Sequence, residues 1–395
     1  MFFENAIGDK RELSWVVQFW PVLVASLSVS LAATWVCKKI ALKLGIVDKP
    51  DNLVKTHKEP VAYLGGIGIL AGLTAGVIAG IYIMQGQPAF GKIFKWLIGI
   101  LAGGAIACAI GAVDDILDIK PIQKILGQVV AAIALILVGI MPALHYFTDY
   151  FNQIMTKFGF TINIVMPGWV EIILGIPIVI IFVLGATNSL NLLDGLDGLC
   201  AGVTAVITIA MLLLAIHLAT WGENDAGGSV KIIVCLALVG GTFGFLPFNR
   251  HPAKIFMGDA GSMLLGFTIA ALMIMFGAEF PRWWMASIVA FGLPIVDTAT
   301  ALARRLINKK PLFVSDRGHI YDQMIDRGIP LKKTVKICYC LAGMYAVIGL
   351  TMSQISTTYA AIVHIIVFAV SAMVIYGKGF LKMEGLRGAI KKDKG

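Results

Sequence analysis

Charge is scarce in this 395-residue chain: Asp, Glu, Lys and Arg make up 14% of it and hydrophobic residues 58%. A soluble domain carries about 25% charged residues, so this balance excludes a water-soluble protein and points to one that crosses a membrane many times. Cysteine is also sparse. The six (Cys37, Cys108, Cys200, Cys235, Cys338 and Cys340) lie in or beside apolar runs with no metal-ligand spacing, which excludes a disulfide framework or a thiolate metal site and leaves them as packing residues. No aromatic-basic RNA motif or folded basic domain is present, so the formal net charge of +9 does not indicate nucleic acid. Internal repeats are absent. So is a trustworthy small-residue cleavage site after the first apolar run, which ends in Cys37-Lys38-Lys39 and is therefore expected to stay as a helix.

What is abundant is apolar sequence of spanning length. Runs near 15–37, 65–84, 94–113, 125–146, 170–187, 199–219, 230–247, 261–278, 284–303, 335–355 and 358–377 predict about eleven transmembrane helices in one all-α domain covering residues 1–395, with a basic tail over 378–395. Basic loops stay in the cytoplasm. Placing the amino terminus outside puts 25 of the 32 Lys and Arg residues on the inner side, a distribution suited to anionic lipid head groups or a phosphate-bearing substrate. The outer connection 147–169 has Phe158, Phe160, Ile162 and Ile164 alternating with small or polar residues, the pattern of an amphipathic hairpin on the outer surface.

In this orientation the inner connections after helices 1, 3, 5, 7 and 9 hold nearly all the chemistry-bearing residues. The first carries Lys55 and His57, which either face a phosphate or are solvated loop charges. The third helix ends in Asp114-Asp115 with Asp118 close behind. Three carboxylates at mid-bilayer would cost roughly 2.5–3.5 kcal/mol each, so they belong at the rim or in a wet cavity. Adjacent Asp114 and Asp115 repel unless a cation such as Mg²⁺ holds both ionised, which suggests a metal or general-base role. Asp118 is expected on the same helical face in support.

The stretch Asn188–Leu199 reads N-S-L-N-L-L-D-G-L-D-G-L. Asn188, Asn191, Asp194 and Asp197 crowd into ten positions, and Gly195 and Gly198 after the aspartates break the helix and admit a ligand close to the backbone. Farther on, Phe256-Met-Gly-Asp259-Ala-Gly-Ser262 stands before an apolar helix. Its small residues favour a phosphate at the helix amino terminus, and Asp259 suits a bridging cation, although Asp259 or Ser262 would also serve as an N-cap. The loop after Pro294-Ile-Val-Asp297 is strongly basic, with Arg317 and His319 one glycine apart.

In order along the chain, these segments are D-x-P with K-x-H and P-V-x-x-x-G-G, then V-D-D-x-x-D, N-S-x-N-L-x-D-G-x-D-G-L, F-M-G-D-x-G-S, and P-x-x-D followed by D-R-x-H. Together they resemble the polyprenyl-phosphate N-acetylhexosamine-1-phosphate transferases (glycosyltransferase family 4) over helices 1 to 10. The resemblance implies transfer of a sugar-1-phosphate from a UDP-N-acetylhexosamine to undecaprenyl or another polyprenyl phosphate, with UMP released, Mg²⁺ or Mn²⁺ as cofactor, and a cytoplasmic active site in the inner or plasma membrane; a homodimer is left open. By the same resemblance, Asp114 and Asp115 engage or deprotonate the lipid phosphate and Asp259 ligates the metal. Asn188, Asn191, Asp194 and Asp197 hold the nucleotide and shape the site. Phe256 stacks on uracil, and Lys55, His57, Arg317 and His319 bind phosphates.

The nearer branch of the family uses UDP-GlcNAc to start cell-envelope glycans such as lipopolysaccharide and teichoic acid. The run of three histidines in the last loop of the phospho-N-acetylmuramoyl-pentapeptide branch is missing here. The nearer branch's H-x-H-H reads His319-Ile-Tyr321-Asp322, so only its first histidine remains. Two readings from other classes compete: an intramembrane prenyltransferase using Asp114-Asp115-x-x-Asp118, whose second acidic motif should be helical, and a transporter, whose ionisable groups should sit near the bilayer midplane.

Overall fold

A computed structural model describes residues 13–48, 60–161, 163–220, 226–310 and 318–382. Its elements are α1 (Leu13–Val17), α2 (Trp20–Leu44), β1 (Val47–Asp48), β2 (Val61–Ala62), α3 (Gly65–Met84), α4 (Phe90–Leu117), α5 (Pro121–Leu137), α6 (His145–Lys157), α7 (Gly168–Leu193) and α8 (Leu199–Thr220). They continue with α9 (Ala226–Asn249), α10 (Gly258–Gly277), α11 (Pro281–Ala290), α12 (Gly292–Ile307), α13 (Ile320–Asp326), α14 (Leu331–Met352) and α15 (Thr357–Gly377).

The protein is an all-α polytopic membrane protein. Nine helices among the described residues are long and apolar enough to span a bilayer, or ten if α11 and α12, bent by 68°, form one span. The expected count of about eleven differs at two places. The run 284–303 is broken because Pro294 lacks an N–H and its ring excludes the carbonyl four residues back, so the helix stops at Ala290 and restarts at Gly292. The run 125–146 becomes α5, only 17 residues long, with a turn at Gly139 before the separate helix α6. The expected outer hairpin is not formed: no strand occurs among the described residues of 145–167. Instead, Asn152 on α6 bonds both the N–H and the carbonyl of Ile164, at 3.0 and 2.8 Å, folding the segment back on the helix.

Helix α10 is apolar around its whole circumference, and all its residues except Asp259 are buried, as expected of a helix enclosed by others. It packs against α3, α4, α7, α9 and α11. Beside it, α2, α3 and α9 approach closely through Ser and Gly stripes, with Ser26 and Ser30 donating to the carbonyls of Ala237 and Gly241 at 2.5 and 2.7 Å. All six cysteines are unbridged and five are buried; Cys340 is exposed, contrary to the packing role expected of it.

Candidate active site

The site is built at the amino terminus of α10. β1 and β2 pair antiparallel, Ala62 accepts from the Phe256 N–H at 2.8 Å, and the carbonyls of Phe256 and Met257 accept from Gly65 and Gly66 at 3.0 Å. Those contacts fix the residues just before α10 onto the start of α3. Close approach of α4 depends on Gly111, where a Cβ would collide with the Asp259 backbone. Gly258 has φ +67°, and a Cβ there would strike the Asp115 carboxylate.

The adjacent aspartates have different partners. Asp115 accepts from the N–H groups of Asp259 and Ala260 at 2.8 and 3.2 Å, so it caps α10 from another helix and places negative charge at the positive end of its dipole. The residue at the cap position itself, Met257, makes no side-chain cap bond, and neither Asp259 nor Ser262 fills that role. Asp114, buried, is ion-paired with Lys124 and accepts from the Ile119 N–H at 3.1 Å. One turn on, α4 has ended: Asp118 is exposed, with φ 47° and ψ 64°. The expectation that it shares a helical face with Asp114 or Asp115 therefore does not hold, because left-handed backbone turns it off the helix.

Asp259 is the junction. Its Oδ2 accepts from Lys124 Nζ at 2.9 Å and its Oδ1 from Asn191 Nδ2 at 2.7 Å; Asn191 Nδ2 also lies 3.1 Å from Ser262 Oγ. Asn188 and Asn191 stand on the last turns of α7, whose helix persists to Leu193, rather than in the following turn. Asn188 does not reach Asp259 and donates to Gln128 Oε1 on α5 at 2.9 Å. The turn itself holds Asp194 and Asp197, and Gly198 has φ +76°. The half-buried Asp194 carboxyl is pushed well above the usual carboxylate range, first by burial and then by the charges of Asp259, Asp115 and Asp197. Asp197 bonds His251 Nδ1 at 2.7 Å and the Ala253 N–H at 3.1 Å, pinning the segment that leads to Phe256. Half-buried Phe256 meets Tyr63 edge to face, with ring centroids 6.0 Å apart.

A second buried cluster adjoins the first. His319 Nδ1 lies 2.8 Å from Asp297 Oδ2, and Asp297 Oδ1 accepts the Ile320 N–H at 2.7 Å. Burial lowers the His319 pKa, but hydrogen bonding and charge from Asp297 outweigh it and leave the imidazole above its ordinary value. Tyr321 stacks on His319 at 5.5 Å and 8°, and its hydroxyl donates to the Leu192 carbonyl at 2.8 Å, so it braces the end of α7. Lys55, His57 and Arg317 lie outside the described residues.

In the sequence Lys124 is one of many inner-face cations, yet in the fold it joins α5 to both α4 and α10. The available signal was a lysine one turn into an apolar helix that starts beside an Asp-Asp pair. Asp297 and Gln128 were likewise not among the expected site residues.

No group of three His, Cys, Asp or Glu side chains poised around a metal occurs among the described residues. The donor set nevertheless fits Mg²⁺, which is commonly held by one or two carboxylates and completed by water and substrate phosphate oxygens. Asp114 and Asp259 already converge on one cation, the Lys124 ammonium. Asp115 is less available, because both its oxygens are occupied by backbone N–H groups.

Residues 97–277 match the profile of Glycosyl transferase family 4. Over 390 residues the chain is 30% identical to a probable undecaprenyl-phosphate N-acetylglucosaminyl 1-phosphate transferase of Bacillus subtilis (strain 168), covering 96% of this chain and 94% of that one. A decaprenyl-phosphate N-acetylglucosaminephosphotransferase of Mycobacterium tuberculosis (strain CDC 1551 / Oshkosh) is 27% identical over 338 residues, 80% of this chain and 78% of that one. A phospho-N-acetylmuramoyl-pentapeptide-transferase of Shouchella clausii (strain KSM-K16) is 30% identical over 325 residues, 78% and 89% of the two chains.

Proposed function

Because the chain belongs to glycosyl transferase family 4, in its polyprenyl-phosphate N-acetylglucosamine-1-phosphate transferase branch, we propose that it transfers GlcNAc-1-phosphate from UDP-GlcNAc to undecaprenyl phosphate. The observation that carries this reading is the gathering of Asp114, Asp115, Lys124, Asn191 and Asp259 from four helices at one end of the bundle. The excess of basic residues among the connections at that end favours the cytoplasmic side of the cell membrane.

An oxygen of the lipid phosphate attacks the sugar-bearing phosphorus of the donor. A new P–O bond forms, the bridging pyrophosphate bond breaks, and its electron pair leaves on UMP. Bringing two anions together is the main obstacle, and fixed positive charge at the site lowers it. Lys124, held between Asp114 and Asp259, is placed to meet a phosphate oxygen. Asn191 fixes the Asp259 rotamer, and Asp115 fixes the helix end on which Asp259 stands. Mg²⁺ held by Asp259 and Asp114 would supply further charge at the pyrophosphate. Phe256 is assigned to stacking on uracil, and Asp194 and Asp197 to holding the nucleotide, on the sequence resemblance. Lys55, His57, Arg317 and His319 are assigned to phosphates on the sequence resemblance.

The Shouchella clausii relative supports a second reading, with UDP-MurNAc-pentapeptide as donor; against it stands the missing histidine run. A prenyltransferase is disfavoured because Asp194–Gly198 is a turn between α7 and α8 rather than a helix. The test is UMP release by the purified protein with Mg²⁺ and undecaprenyl phosphate across a donor panel. Release with UDP-GlcNAc supports the proposal, release only with UDP-MurNAc-pentapeptide moves the protein to the other donor class, and the absence of release from every donor refutes both.

A further inference from the structure

We propose that Gln128 is a positioning residue, whose amide clamps α5 to α7 and thereby holds Lys124 between Asp114 and Asp259; the functional consequence rests on the reading above. Gln128 is fully buried on the face of α5 that also buries Ala131, Ala132 and Leu135. Lys124 lies four residues earlier, one turn away on the same side of the helix. The Gln128 Oε1 accepts from Asn188 Nδ2 at 2.9 Å, while the same Nδ2 donates to the Leu184 carbonyl at 2.7 Å. This second bond fixes which way the Asn188 amide faces. Gln128 must then present its oxygen, and its Nε2 is left buried with no hydrogen-bond partner.

An unsatisfied buried amide N–H is unfavourable, and a methionine would fill a similar volume without that penalty. What glutamine alone supplies here is the acceptor oxygen. Asn188 and Asn191, three residues apart on α7, thus form two rungs: the inner one grips Gln128, and the outer one grips Asp259, which is bonded to Lys124. A roll of α5 against α7 would move the Lys124 ammonium relative to both carboxylates, and small misplacements of a reacting constellation cost about 10²-fold in rate.

The test compares Gln128→Met, which keeps shape and loses the acceptor, with Gln128→Glu, which keeps an oxygen facing Asn188. Gln128→Met should lower kcat about 10²-fold with the KM for the sugar nucleotide unchanged, and Gln128→Glu should recover part of the loss. An experimentally determined structure of Gln128→Met should show Lys124 no longer bridging Asp114 and Asp259. A purely packing role would reduce the yield of folded protein and leave kcat per folded molecule unchanged. That result, equal losses in the two variants, or a Lys124 bridge intact in Gln128→Met would overturn the proposal. If the wild-type protein released no UMP from any of the donors, the functional reading would fall while the structural comparison would still decide the clamp.

Discussion

Lysine meets carboxylate at both ends of α10, with opposite bookkeeping of charge. Beyond its carboxyl end, Lys231 is 1% exposed and pairs one-to-one with Glu279 at 2.7 Å. At its amino end, Lys124 serves Asp114 and Asp259 together, its side chain and that of Asp259 are each 26% exposed, and Asp115 lies alongside. The first arrangement is closed and neutral. The second is open and brings three carboxyl groups to one lysine, so it has donors for a further cation, and the helix end there suits them because its first N–H groups face Asp115. Charge stoichiometry and access distinguish a structural pair from a site.

The comparison breaks most visibly at Asp259. Asp259→Asn should reduce UMP release by on the order of 10²–10³-fold while the protein stays folded, since Lys124 retains Asp114; comparable activity in purified, monodisperse variant would remove Asp259 from the site. At the other end, Lys231→Met leaves part-buried Glu279 without its partner and should cost up to about 3 kcal/mol of stability, read by thermal unfolding in detergent, with activity per folded molecule unchanged. Adding Glu279→Gln should restore most of that stability.

The His319–Asp297 pair provides a pH test. The His319 pKa is raised in the folded protein, so its contribution to stability is fully present below the unfolded histidine pKa, about 6.5, and declines as pH rises through the raised folded value. Asp297→Asn should flatten that part of the curve of melting temperature against pH. The smallest effect is expected at Asp118, exposed and bonded to the described residues only through its backbone N–H, which donates to the Asp114 carbonyl at 2.9 Å. Asp118→Asn keeps a residue tolerant of left-handed backbone and should change stability by no more than about 0.5 kcal/mol, with UMP release nearly unchanged.

Most of the helices and most residues of the candidate site are legible in the sequence, because apolar length and clustered Asp, Asn and Gly are local signals. Asn191 and Asp259 were recognised singly, from the turn motifs around them, and their 2.7 Å bond joins what the spacing left apart. Less legible was what folding decides across distance. Asp115 looked like half of a metal-binding pair, yet its oxygens cap a helix more than 140 residues away in the chain. Lys124 looked like one of many inner-face cations until α5 placed it between two carboxylates. Asp118 followed helical periodicity on paper, but periodicity cannot show where a helix ends. The break between α11 and α12 was foreshadowed by Pro294, although its 68° bend depends on packing that no local pattern encodes.

Metal dependence tests the central claim most directly. Wild-type protein stripped with EDTA should release no UMP from UDP-GlcNAc and undecaprenyl phosphate, and Mg²⁺ should restore release along a saturable curve that Asp259→Asn shifts to higher concentration or abolishes. Full release by the metal-stripped enzyme, or an unchanged curve in Asp259→Asn, would contradict the account of an open carboxylate site that takes a second cation.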